Sequence, residues 1–390
     1  MSRRPASNPL AGQRILIVLT TLDLGGAERQ ALHLASYLQD QRRAQVDIVA
    51  LFGGLGNQAV RRLCVERRLP CLRVSMPEHI HTSPSFRSLL QFAREIHFLQ
   101  PDILLPYTSM PNVLCGVTWR QSGAKTCLWN QRDHGLDLPS ERWQRAALAN
   151  TPWFLTNARS GMDCLVNQRG IPAAQVRLVF NGVAPPPAKE SSQTLRPRLG
   201  ISDQSLVGVM LANLHCYKDH ETLIRAWKLV DARLGVGGAM PPTLLLAGRE
   251  DDAKNLKALV SQLELTHRVR FLGPVDDVSS LLNAADLSLL SSDNEGTPNA
   301  VIESMAAGLP VVATDIRGCR DALGEDYEYL VPAKSPEIFA QHIINLARDP
   351  EKRAAVGQRL QARAHREFTL GKMCGQTCTI LEEALVSSQQ

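Results

Sequence analysis

The feature that most limits the fold of this chain is a rhythm. Short apolar runs alternate with longer helical stretches along nearly its whole length. The first series is Ile15–Leu19, Val46–Leu51, Ile103–Leu105, Thr126–Trp129 and Trp153–Thr156. The second is Leu206–Leu211, Thr243–Ala247, Val269–Leu272, Leu287–Leu290 and Val311–Ala313. Runs that are apolar throughout, rather than at alternate positions, bury both faces, which is the habit of parallel strands covered by helices. The rhythm breaks at Ala184-Pro185-Pro186-Pro187-Ala188-Lys189-Glu190-Ser191-Ser192, where consecutive prolines exclude a helix interior or a central strand. The expected fold class is therefore α/β, with two doubly wound parallel-sheet domains over residues 14–184 and 199–365. A linker is expected over 185–198, a disordered tail over 1–13, and a C-terminal helix over 366–390, with a return to the first domain as one option. A chain of 390 residues is long enough for each half to bury its own core.

Charge and cysteine usage narrow the setting. The formal net charge is +5, too small over this length to point to nucleic acid, and no nucleic-acid partner is expected. Arg42, Arg43, Arg61, Arg62, Arg67 and Arg68 gather in the first third. Such a group suits an anionic membrane surface, but a solvated helix face is the more common origin and the favoured reading. Nine cysteines carry no CxxC pair, and His79 and His81 stand alone as a short HxH. No metal site and no cofactor are expected. No apolar run is long enough for a transmembrane helix or a signal-peptide core, so the expected location is cytoplasmic, with reduced thiols.

Several strand ends carry residues suited to anion and hydroxyl chemistry. Glu295-Gly296-Thr297-Pro298-Asn299 follows the run Leu287–Leu290 and leads into a helix expected from about Pro298 to Ala307, with Thr297 as its N-cap. The free amides of such a helix start face the loop. Glu303 is the only charged residue from Gly296 through Thr314. A carboxylate in so apolar a stretch needs a partner or a cavity, so it either accepts ligand hydroxyls or forms an internal ion pair. Lys218, in Tyr217-Lys218-Asp219-His220, follows the first strand of the second half, where a Lys can neutralise phosphate or simply lie on the surface. Gly25-Gly26 opens a helix after the first strand, allowing an anion close to the backbone or merely making a turn. Gln131-Arg132-Asp133-His134-Gly135 follows another strand, and His134 there either bonds a sugar or is structural. Asn181-Gly182-Val183 suits a tight turn. No GxGxxG follows a strand, which disfavours a dehydrogenase.

Taken together and in order, these segments resemble the retaining glycosyltransferases of the GT-B fold, family 4. They are joined by Leu246-Ala247-Gly248, Val269-Arg270-Phe271-Leu272-Gly273, Ala285-Asp286-Leu287 and Ala307-Gly308-Leu309-Pro310-Val311-Val312-Ala313-Thr314. The stretch from Glu295 to Thr314 is the specific part, and the resemblance runs from about residue 14 to 370. It implies two Rossmann-like domains facing across a cleft, a nucleotide-sugar donor, UDP- or GDP-linked, held mainly by the second, and a glycan or lipid-linked acceptor held mainly by the first. It implies no metal, and Arg61, Arg62, Arg67 and Arg68 add a peripheral position on the cytoplasmic face of the membrane as one option. Carried over, Lys218 contacts the donor diphosphate and Gly25 or Gly26 sets its backbone against the same phosphates. Glu303 binds the ribose, while Glu295, Gly296, Thr297, Pro298 and Asn299 hold the donor sugar. Gly273 and Val275 lie where the family contacts the base. His134 loosely matches a residue of the first domain that touches the sugar. The catalytic set implied is Glu295, Lys218 and His134.

The chain departs from the family at Asn213, where an Arg is common. Arg249 or Arg317 is expected to replace the missing charge. The implied reaction is a front-side attack in which the departing phosphate takes the acceptor proton, with preorganised charge stabilising its departure. Two other readings stay open: a nucleotide-sugar epimerase of the same architecture, and a nucleotide-sugar-binding protein without catalysis, for which Asn213 is the motive.

Overall fold

The computed structural model describes residues 8–53, 59–74, 76, 84–132, 141–184, 187–235, 240–250 and 253–388. The chain forms two compact units: the first runs to Gly182 and takes in the segment from Leu370 onward, and the second spans Val183–Thr369.

The first unit is built on a seven-stranded sheet. Its strands are β1 (Arg14–Leu19), β2 (Gln45–Ala50), β3 (Cys71–Arg73), β4 (Ile103–Pro106), β5 (Thr126–Gln131), β6 (Trp153–Thr156) and β7 (Val176–Leu178). The order is β3-β2-β1-β4-β5-β6-β7, and every pairing is parallel. Strand β1 shows why an unbroken apolar run was required. Ile15, Ile17 and Leu19 pack toward the helices Gly26–Arg42 and Leu370–Ser387, while Leu16 and Val18 pack toward Phe86–Phe98 and Ser109–Thr118. All five side chains are fully buried.

The second unit holds a six-stranded parallel sheet in the order β10-β9-β8-β11-β12-β13. Its strands are β8 (Val207–Leu211), β9 (Thr243–Ala247), β10 (Val269–Gly273), β11 (Leu287–Leu290), β12 (Val311–Thr314) and β13 (Leu330–Val331). In each sheet the chain reverses its winding beside the first strand, at β1/β4 and at β8/β11. Such a reversal opens a crevice at the carboxyl ends of the strands.

All ten strands read from the sequence are present, and three were missed: β3, β7 and β13. The linker expected over 185–198 is corrected. Lys189 and Glu190 donate backbone N–H groups to Asp277 and Ser280, and Ser192–Arg198 is a helix capped by Ser191. Arg196, 6% exposed, anchors that helix through Asp286 at 2.9 Å and the Ala284 carbonyl at 2.9 Å. A guanidinium so buried stays put because both contacts compensate its desolvation. The tail is corrected in part: Leu10 is fully buried in the first core, and Asn8 donates to the Arg42 carbonyl at 2.8 Å. The helix Leu370–Ser387 packs in the first unit, its Glu382 and Glu383 reaching Arg42 and Arg177. None of the described helices is long and apolar enough to cross a membrane. Of the six clustered arginines, Arg42 is paired this way and Arg67 donates to His33 at 3.3 Å, so part of the cluster is structural.

Candidate functional site

In the second unit the site grows from the ends of β8 and β11. After β8 the chain makes a short 3₁₀ turn over Cys216–Lys218 and then enters the helix His220–Leu234. Asp219 joins the two with φ +48°, in the left-handed region, where a short polar side chain is tolerated. Its carboxylate accepts the Thr222 N–H at 3.3 Å and so caps the helix. The loop after β11 closes on this turn. Ser291 Oγ donates to the Lys218 carbonyl at 3.1 Å, and the Asp293 N–H donates to the Tyr217 carbonyl at 2.8 Å.

The result is that Lys218 meets Glu295. The ammonium donates to Glu295 Oε1, which also accepts Ser292 Oγ at 2.8 Å. The two side chains are 16% and 14% exposed, so the pair is largely withdrawn from water and only lightly screened. Lys334, from the turn after β13, bridges Asp219 at 3.1 Å and Asp293 at 2.9 Å. Desolvation works against its charge, but the bonds to Asp293 and Asp219 hold its pKa above the usual lysine value. Cys319, fully buried, lies in the field of the same pair. Burial, reinforced by the Glu295 charge, pushes its thiol well up and keeps it neutral.

Close backbone approaches fix the loop geometry. A Cβ on Gly318 would sit 1.7 Å from the Gly296 carbonyl oxygen, and one on Gly248 would sit 2.1 Å from that of Ala212. Only glycine permits either contact. Asn213 accepts the Arg249 backbone N–H at 3.0 Å, which sets Arg249 beside the position that lacks the expected Arg. Arg317 is engaged instead, by Asp321 at 3.5 Å and Glu325 at 3.1 Å.

The other predicted residues fall as follows. The helix begins at Asn299 rather than Pro298, and Pro298, not Thr297, is its N-cap; Thr297 is buried. Gly296 and Asn299 are half-buried at this helix start, and Glu303 is half-buried within the helix. Gly273 closes β10 with φ +65° and open space on its Cβ side, while Val275 packs on the second core. In the first unit Gly25 donates its N–H to Glu28 at 3.0 Å as the N-cap of Gly26–Arg42, whereas Gly26 is exposed. His134 lies outside the described residues. The sequence reading missed Asp219, Asp293, Ser292 and Lys334. The contacts of Asp219, Asp293 and Lys334 join loops far apart in the chain, so no spacing announces them, whereas Ser292 touches Glu295 within one loop.

A second polar group crowns the first sheet at the carboxyl ends of β4 and β5. Tyr107 and Asn130 are each 1% exposed, and Arg132 follows directly. The Asn112 side chain exchanges two bonds with the Asn130 backbone, at 3.0 and 2.9 Å. Arg132 lies 4.7 Å from the Tyr107 ring centroid and donates to Asn181 at 2.7 Å. Gln30 then grips Gly182 from both sides, at 2.9 and 3.2 Å, tying the Asn181-Gly182 turn to the helix that Gly25 opens. A cavity of about 630 Å³ elsewhere in this unit, bordered by Arg120, Leu148, Asn150 and Gly170, contains none of the predicted residues.

Comparison with known proteins places this geometry. The family described as Glycosyl transferases group 1 matches residues 191–363, and Glycosyltransferase Family 4 matches residues 24–185. The chain is 24% identical over 299 residues to N-acetyl-alpha-D-glucosaminyl L-malate synthase of Bacillus anthracis, a match spanning 73% of this chain and 75% of that one. It is 29% identical over 225 residues to a D-inositol 3-phosphate glycosyltransferase of Kineococcus radiotolerans, covering 51% of this chain and 50% of the relative. The crystal structure of Anabaena Alr3699/HepE in complex with UDP-glucose superposes with a TM-score of 0.79 at 20% identity, over 95% of this chain and 99% of that one. The chain has the GT-B fold and belongs to the group 1, family 4 glycosyltransferases.

Proposed function

We propose that the protein moves a sugar from a nucleotide-diphosphate sugar to a glycan or lipid-linked acceptor, with retention at the anomeric carbon. The observation that carries this reading is the Lys218–Glu295 pair at the carboxyl ends of β8 and β11, beside the start of the helix Asn299–Ala306. Lys218 then neutralises the charge that builds on the diphosphate as it leaves. Glu295, Gly296, Thr297, Pro298 and Asn299 orient the sugar, and Glu303 takes the ribose diol. Arg249 supports the phosphate from beside Asn213, and Gly273 and Val275 border the base. By the family pattern, Gly25 and Gly26 are assigned to the phosphates and His134 to the sugar. In this reading the departing phosphate takes the acceptor proton, and the positive charge comes from Lys218 and backbone amides without a metal. The neighbour solved with UDP-glucose makes a uridine nucleotide the first donor to test.

The test is calorimetry with UDP- and GDP-sugars, followed by mass spectrometry of products with and without acceptors. Acceptor-dependent product with retained configuration supports the reading. Interconversion of free nucleotide sugars would mark an epimerase. Binding without turnover on any acceptor would mark a non-catalytic protein, and an inverted product would exclude the front-side route.

A further inference from the structure

At the crown of the first sheet Tyr107 Oη, both amide atoms of Asn130 and Arg132 Nε are buried and meet no partner in good hydrogen-bond geometry, although the Asn130 and Arg132 side chains approach the Tyr107 hydroxyl. Buried polar groups so poorly met are costly, and a cluster of them in one place needs a shared explanation. Disorder does not supply one. The Asn130 backbone is clamped by Asn112, and the Arg132 guanidinium is held between the Tyr107 ring and Asn181. Burial raises the Tyr107 pKa despite the Arg132 charge and the close Asn130 and Arg132 side chains, so its hydroxyl keeps its proton. The group therefore offers a guanidinium N–H, a phenolic O–H and an amide that both donates and accepts.

The charge decides what belongs there. The hydrogen-bonding partner of Arg132 is the neutral Asn181 amide oxygen, and no carboxylate among the described residues forms an ion pair with it. Water could meet these atoms one by one, whereas an anion would meet them and the Arg132 charge together. The location also fits a ligand, since it is the carboxyl edge of β4 and β5 in a doubly wound sheet.

We propose that this group binds an anionic substituent, a carboxylate or a phosphate, on the acceptor. Arg132 supplies the charge, with Tyr107 and Asn130 completing the hydrogen bonds. The inference rests on the transferase reading and names the acceptor class for it.

The test uses the full chain, titrated with glycerol, glycerate and glycerol 3-phosphate, each with and without uridine diphosphate. The three probes share a carbon frame and differ in charge, so they separate a carboxylate from a phosphate requirement. One or both anions should bind and glycerol should not. Arg132→Gln should weaken anion binding about tenfold, the loss expected for one charge-assisted hydrogen bond. Arg132→Lys should recover part of it, and uridine diphosphate affinity should stay within about twofold. Should Arg132→Gln fail to fold by circular dichroism, Asn130→Ala takes its place, with the same direction expected. Equal binding of glycerol, no binding of either anion, or anion binding indifferent to these variants would overturn the proposal. Anion binding without any uridine diphosphate binding would keep the site and sink the donor reading.

Discussion

The Lys218 ammonium rests on the Glu295 carboxylate, with both side chains largely withdrawn from water. Two groups assigned to different parts of one donor are thus neutralised by each other. In the proposed reading, a diphosphate arriving at Lys218 competes with Glu295, and the carboxylate is then released to meet sugar hydroxyls. Replacing Glu295 by Gln removes the competitor but also the acceptor. Glu295→Gln should therefore bind uridine diphosphate about fivefold tighter, the equivalent of about 1 kcal/mol. Transfer should fall steeply in the same variant. Calorimetry and turnover measured side by side check this, and weaker nucleotide binding in the variant would contradict it.

Lys334 acts on the same pair from a distance. It holds Asp219, 6% exposed, and Asp293, which bracket the turn presenting Lys218. Lys334→Ala leaves two carboxylates without their shared cation and loosens a backbone already at φ +48°. Because the Lys334 side chain is 58% exposed, the direct stability loss should be modest, about 1 kcal/mol. The functional signature should be a raised KM for the donor with a smaller change in kcat. Lys334→Arg should restore most of it. A kcat loss at unchanged KM would show that Lys334 does not position the turn.

What the sequence revealed, and what it hid, follows from how local each signal is. Strands such as Ile15–Leu19 and Val311–Thr314 are legible because burial on both faces demands an unbroken apolar run. Cys71–Arg73, Val176–Leu178 and Leu330–Val331 are short edge strands with one neighbour each, so that demand is weak and their residues look like loop. Residues 185–198 read as linker because the prolines and serines are local, whereas the Arg196–Asp286 anchor is not. Lys218 and Glu295 could be picked out from a family pattern, while Lys334 and Asn130 gain meaning only from partners that folding brings to them.

Gly318 offers a steric test of the loop that carries Glu295. Its hypothetical Cβ meets backbone oxygens of Gly296 and Glu295 at 1.7 and 2.7 Å, and backbone cannot swing aside as a side-chain tip would. Gly318→Ala should cost about 1–3 kcal/mol by overpacking, lower Tm and weaken donor binding. Gly371→Ala is the control. Nothing lies within 4 Å of its Cβ, and it sits in a helix, so Tm should hold or rise slightly. Equal Tm for both variants would mean that the helix beginning at Arg317 does not press on this loop.

His220 predicts a pH dependence. It is 2% exposed at the start of the helix His220–Leu234, and its pKa is lowered from 6.5 to about 4, first by burial and then by the Lys218 charge. The unfolded chain takes up this proton near pH 6.5, whereas the folded chain resists until about pH 4. Between those values the unfolded state binds more protons, so stability falls as pH falls. Full protonation costs on the order of 3 kcal/mol, and above pH 6.5 the penalty vanishes because both states are neutral. His33, lowered to about 4 by burial and by Arg67 and Arg29, adds a slope of the same sign in the first unit. Tm measured from pH 7 to 4 should therefore decline, and His220→Gln should flatten the decline without matching a further loss at pH 7.5. An unchanged slope in His220→Gln would show that the imidazole is protonated in the folded protein and that Lys218 does not keep it neutral.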